Sequence, residues 1–114
     1  MLPSQYRLNE KRDFDRVLKK GLMEQTSLFG LGYLKLTDNL PSRFGLIVSK
    51  RISKRAVDRN RIKRILRESL RHLLEKMDKG FMVVILAKHK LLYSNQKEAE
   101  EVLAMVLNKI GAIK

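Results

Sequence analysis

Apolar residues recur at helical spacing inside the most basic stretch of this chain, and that combination limits what it can fold into. Between Arg43 and Arg71 stand eleven Lys or Arg and two acids, a net +9 out of +13 for all 114 residues. On a wheel advancing about 100° per residue, Ile62, Ile65, Leu66, Leu70, Leu73, Leu74 and Met77 share one wide arc. Asn60, Lys63, Arg64, Arg67 and Arg71 fall on the flanking arc. A helix starting near Asp58 or a few residues earlier and running to about Met77 is therefore expected, with most of Lys50 to Val57 as a loop before it. One side packs on a core and the neighbouring side carries charge, so the cations ride on a folded surface.

The remaining elements read outward from this helix. Asn9 to Lys20 is an expected helix, capped by Asn9, striped by Phe14, Val17 and Leu18, and ended by Gly21. Ser27 to Leu36 is rich in β-formers and reads as a strand, weakened by Gly30 and Gly32. Arg43 to Ser49 reads as a second strand. Asp38-Asn39 and Pro41 between them form a turn, which predicts an antiparallel hairpin. Asp78-Lys79-Gly80 closes the basic helix. Phe81 to Ala87 is a continuous apolar run, the pattern of a central strand covered on both faces. A last helix from Gln96 to Ile110 follows, with Asn95 and Glu98 at capping-box spacing. The expected fold is an α+β two-layer sandwich in α-β-β-α-β-α order, with helices on a small mixed sheet.

The length fits one domain spanning residues 1–114, and 44% hydrophobic residues are enough for a core. Cysteine is absent, which excludes disulfides and thiolate zinc sites and fits a reducing cytoplasm. The N-terminus lacks the apolar run of a secretory signal, and Phe81 to Ala87 is too short to span a bilayer. The expectation is a soluble cytoplasmic protein with no membrane partner.

Chemistry on the chain itself is not expected. His72 and His89 are the only histidines, and the acids are scattered. No metal-ligand spacing or phosphate-cradling glycine loop is present, so no catalytic or metal-binding residue is assigned. The basic helix points instead to a polyanion. Solvated helices usually place acids four residues from bases, but Arg59, Lys63, Arg67 and Arg71 recur with only Glu68 nearby. Arginine forks match phosphate in bidentate fashion. Asn60, between two arginines, can both donate and accept. Core packing is the commoner role for the few aromatics. Yet Phe14 lies on the first helix, and Phe29 and Tyr33 share a strand face at period two. If that helix crosses the sheet edge, these residues line a groove for unpaired bases.

The ordered segment S-K-R-x-x-K-R-A-V-x-R-N-R-I-K-R-x-x-R-E, from Ser49 to Glu68, resembles the bacterial ribonuclease P protein family. An F-G-L-I-V-S-K strand (Phe44 to Lys50) precedes the central Arg59-Asn60-Arg61 triplet, as in that family. Arg7-Leu8, Asp13-Phe14, Lys19-Lys20-Gly21 and Ala87-Lys88 also agree, so the likeness covers nearly the whole chain.

The resemblance implies a ribosomal-protein-like fold with a left-handed βαβ crossover, against the usual right-handed rule. It implies a protein subunit of ribonuclease P, the ribonucleoprotein that cuts the 5′ leader from precursor tRNA. Hydrolysis is then performed by the RNA subunit with Mg²⁺ that it mainly holds itself. The implied partners are this catalytic RNA and precursor tRNA, with no obligate protein partner. The RNA-binding role falls on Lys50, Arg51, Lys54, Arg55, Arg59, Asn60, Arg61, Lys63, Arg64 and Arg67. A cleft for the single-stranded leader falls on Phe14, Leu18, Phe29, Tyr33 and Lys88. Leu18 stands where many members have a second aromatic, and it offers no π face. The rival readings are a structural RNA-binding protein of ribosomal type and an autonomous nuclease. A helix-turn-helix DNA binder is disfavoured by the two strands before the basic helix.

Overall fold

A computed structural model of the chain describes residues 2–113. Its elements are α1 (Lys11–Lys20), β1 (Leu22–Gln25), β2 (Phe29–Lys35), β3 (Arg43–Ile47), α2 (Ala56–Leu73), β4 (Phe81–Ala87) and α3 (Gln96–Lys109). The expected order holds, with one further strand, β1. Its four residues are mostly exposed and carry no alternation, so only pairing with β2 defines it, from Leu22↔Tyr33 to Gln25↔Gly30.

The sheet order is β1-β2-β4-β3. β4 is the central, buried strand that its apolar run predicts, but β2 and β3 do not form a hairpin. β4 lies between them, antiparallel to β2 (Phe29↔Ala87) and parallel to β3 (Ile47↔Leu86). A buried strand must satisfy backbone groups on both edges, and inserting β4 achieves this. The loop after β2 therefore crosses the start of β4 and is tied to it. Leu36 N–H donates to Gly80 O (2.7 Å) and Gly80 N–H to Leu40 O (2.8 Å). Ser42 Oγ accepts from Phe81 N–H (3.0 Å) and donates to Asp78 O. Asp38 closes the turn itself, accepting from Leu40 N–H (3.1 Å).

Helix boundaries shift slightly from expectation. α1 starts after Glu10, and Asn9 lies one residue before that cap position. α2 begins at Ala56, ends at Leu73, and passes into a 3-10 turn at Leu74–Lys76. At α3 the capping reading holds, with Asn95 Oδ1 accepting from Glu98 N–H (2.9 Å).

The main core lies between one sheet face and the pair α2 and α3. Phe29 and Leu31 of β2, Phe44 of β3, and Val83 and Ile85 of β4 meet Ile62, Leu66 and Leu70 of α2 and Leu103 and Leu107 of α3. Each large aliphatic side chain buried here contributes roughly 1.5–3 kcal/mol. α1 crosses the opposite face, where Val17 packs with Met82 and Val84. The basic helix is thus seated on the sheet by one side.

Candidate nucleic-acid interface

β3 and β4 run parallel, so the loop after β3, the start of α2 and the turn after β4 all emerge at one end of the sheet. Lys50, Arg51, Lys54 and Arg55 are exposed on that loop. Asn60 and Arg64 are exposed on α2, and Lys63 and Arg67 are half-buried along the same side. Asn60, Arg64, Arg67 and Glu68 line a shallow depression of about 330 Å³. Among the described residues no ion pair neutralises Lys50, Arg51, Lys54, Arg55, Lys63, Arg64 or Arg67. Such a strip can engage several anionic groups at once. Arg71 differs, because its guanidinium bonds Glu68 (2.9 and 3.2 Å). That contact is the largest cause that holds the Glu68 carboxyl at about 2, well below its ordinary value.

The arginines flanking Asn60 make bonds within the chain. Arg59 turns back on the preceding loop and donates from Nη1 to Ser53 O (2.8 Å). Arg61 reaches the turn after β4, donating from Nη1 to Leu92 O (3.2 Å) and from Nη2 to Ser94 O (3.0 Å). Both tie chain segments together, so the outward face is carried by Asn60, Arg64 and Arg67. Helical spacing puts Arg59 and Arg61 on the two flanks of the face, where backbone carbonyls are in reach.

A second feature lies on the opposite sheet face, beneath α1. An added Cβ on Gly45 would collide with the Phe14 ring (2.4 Å), whereas one on Gly32 would clash with Met23 Sδ of β1 (2.9 Å) and only touch Val17 Cγ1 (3.4 Å). Gly45 lets α1 approach the sheet closely. Beyond α1 the register aligns Gly30, Leu86 and Ile47 in a row, the latter two half-buried. Phe14, Ile47 and Leu86 pack against Val17, Met82 and Val84 and form an apolar surface, with Leu18 exposed on α1 and Lys88 beyond the end of β4. Lys88 Nζ donates to Thr26 O (2.7 Å). Phe14 also faces a hollow of about 200 Å³ that Lys63 and Arg67 line from α2.

Phe29 and Tyr33 are not on this surface. They share a strand face, as expected, but it is the face toward α2 and α3; Phe29 is fully buried there and Tyr33 packs against the same core. Alternation fixed their common side, while the side on which α1 sits follows from Gly45. Ile47 and Leu86 were missed because only strand register brings them beside α1. Among the described residues no three His, Asp or Glu converge to hold a metal ion. No described helix is long and apolar enough to cross a membrane.

The family model described as Ribonuclease P matches residues 2–111. The chain is 36% identical over 109 residues to the ribonuclease P protein component of Pseudanabaena sp., covering 96% of this chain and 94% of that one. It is 32% identical over 113 residues to that of Geobacillus kaustophilus, covering 99% and 93%. The solved RNase P protein of Thermotoga maritima superposes with a TM-score of 0.80 at 29% identity, covering 90% of this chain and 96% of that one. That of Staphylococcus aureus gives 0.85 at 25% identity, covering 96% and 98%. The fold, the ordered basic segment and these likenesses converge: the chain belongs to the ribonuclease P protein component family, the protein subunits of a tRNA-processing ribonucleoprotein endoribonuclease.

Proposed function

We propose that the loop Lys50, Arg51, Lys54 and Arg55, continued by Asn60, Lys63, Arg64 and Arg67, binds the catalytic RNA of ribonuclease P. The surface of Phe14, Leu18, Ile47, Leu86 and Lys88 then receives the single-stranded 5′ leader of precursor tRNA. The observation that carries the first part is the strip of cations without ion-pair partners. Phosphates that replace their counterions release them to bulk, which drives association. The second part rests on the apolar surface of Phe14, Ile47 and Leu86, and on Phe14 also facing a hollow that Lys63 and Arg67 of the strip line. Leu18 covers apolar surface there, and Phe14 supplies the aromatic ring.

In this reading Arg59 and Arg61 position the loop and the turn rather than meeting phosphate. Mg²⁺ supplies metal-assisted hydrolysis on the RNA subunit; the described residues of this chain provide no ligand cluster for it. The site of action is the cytoplasm, where precursor tRNA is processed.

The test is reconstitution. The chain, mixed with a bacterial ribonuclease P RNA at low Mg²⁺, is expected to restore leader removal that the RNA alone performs poorly. A purely structural RNA-binding protein would bind without distinguishing precursor from mature tRNA, and that outcome would remove the leader site from the reading. RNA cleavage by the protein alone would overturn the division of labour.

A further inference from the structure

The turn after β4 carries an aromatic side chain that the core does not use. Tyr93 is 78% exposed at the end of the 3-10 turn His89–Tyr93. The His89 ring meets it edge-on, with centroids 5.8 Å apart and planes at 69°. The turn beneath is held firmly. Leu91 is fully buried, Ser94 Oγ donates to Lys90 O (3.2 Å), and Arg61 of α2 clamps the Leu92 and Ser94 carbonyls. The backbone that carries the ring is therefore fixed, while the ring itself stays largely exposed.

Its surroundings are cationic. Lys90 and Lys97 lie on this segment, and no Asp or Glu occurs between Asp78 and Glu98. Because β3 and β4 are parallel, the turn leaves the sheet at the same end as the loop of Lys50, Arg51, Lys54 and Arg55. Arg61 joins the turn to the start of α2. A flat π surface beside cations suits one occupant, a nucleobase stacked on the ring with its phosphates on the lysines. An acidic peptide would use the charges and leave the ring uncovered.

We propose that Tyr93, steadied by His89 and by Arg61, is a stacking platform for an unpaired nucleobase, distinct from the surface beneath α1. This rests on the RNA-binding reading above. The base belongs either to the catalytic RNA or to precursor tRNA, and the chemistry is the same for both.

The chain has no tryptophan, so Tyr93→Trp places a single indole fluorophore at the platform. This variant would be titrated separately with a bacterial ribonuclease P RNA and with a leader-bearing precursor tRNA. Quenching that saturates with complex formation is expected in one titration, and that titration names the source of the base. Tyr93→Leu, which keeps an apolar side chain without a π face, is expected to weaken the same complex about tenfold. Tyr93→Phe should rescue it. Complexes that form with an unquenched indole and undiminished affinity of the Tyr93→Leu variant would overturn the platform and leave the RNA-binding face intact. Failure of the wild-type chain to bind either RNA would sink both.

Discussion

Arg59, Asn60 and Arg61 are consecutive, yet their side chains have three destinations: a loop carbonyl, open solvent and a turn after another strand. That divides the basic residues into two kinds with separable phenotypes. Arg61→Ala removes two charge-assisted bonds and should lower unfolding free energy by about 1.5–3 kcal/mol in urea denaturation. Arg64→Ala should change stability by no more than about 0.5 kcal/mol. It should instead flatten the log-log salt dependence of RNA binding by about 0.7–0.9. An Arg64 variant with an unchanged slope would place that side chain away from phosphate. Glu68 provides a pH marker on the same face. Its carboxyl is held at about 2, with Arg71 the largest cause, below the ordinary 4.5, so the contacts of Glu68 stabilise the fold above pH 4.5. That contribution falls away as pH drops toward 2. The acid-unfolding curves of wild type and Glu68→Gln should therefore differ at neutral pH and converge near pH 2.

At the scale of elements, glycines decide how closely segments approach. Gly80 and Gly111 both have positive φ, +89° and +83°. An added Cβ at Gly80 would lie 2.6 Å from Leu36 O, whereas at Gly111 it meets nothing within 4 Å. Gly80→Ala should cost more than the roughly 1–3 kcal/mol of a strained backbone alone, and Gly111→Ala should stay within that range. Thermal or urea unfolding of the two variants checks the order. The same loop explains why the hairpin between β2 and β3 was expected and is absent. Asp38-Asn39 and Pro41 are sound turn residues, and Asn39 does adopt positive φ (59°). A turn, however, does not specify which strand lies beside which. Leu36, Leu40 and Ser42 bond to backbone around Gly80, and those partners lie some forty residues away in sequence.

For the whole molecule, charge distribution and fold act together. Of the net +13, +9 falls between Arg43 and Arg71, mostly on the loop after β3 and along α2, so RNA affinity should depend steeply on salt. If six or more of the proposed contacts form, affinity should fall by about a thousandfold or more between 50 and 200 mM salt. A shallow dependence in a binding titration would argue for far fewer contacts. α2, α3 and β4 were legible because their signals are local: helical period, a capping residue, an apolar run. The surface beneath α1 was only partly legible. Phe14 lies on the α1 face of the sheet with Ile47 and Leu86, but Phe29 and Tyr33 face the other side.

By itself the sequence determined the two-sided basic helix, the central strand and the family, since charge, periodicity and residue order are carried by the covalent chain. Only the tertiary structure decided that β4 enters between β2 and β3, that α1 lies over Gly45, and that Arg61 clamps the turn bearing Tyr93. Those outcomes depend on contacts between residues far apart along the chain. Satisfying both edges of a buried strand and packing a helix where side chains are smallest selects them, and neither condition is written in any local pattern.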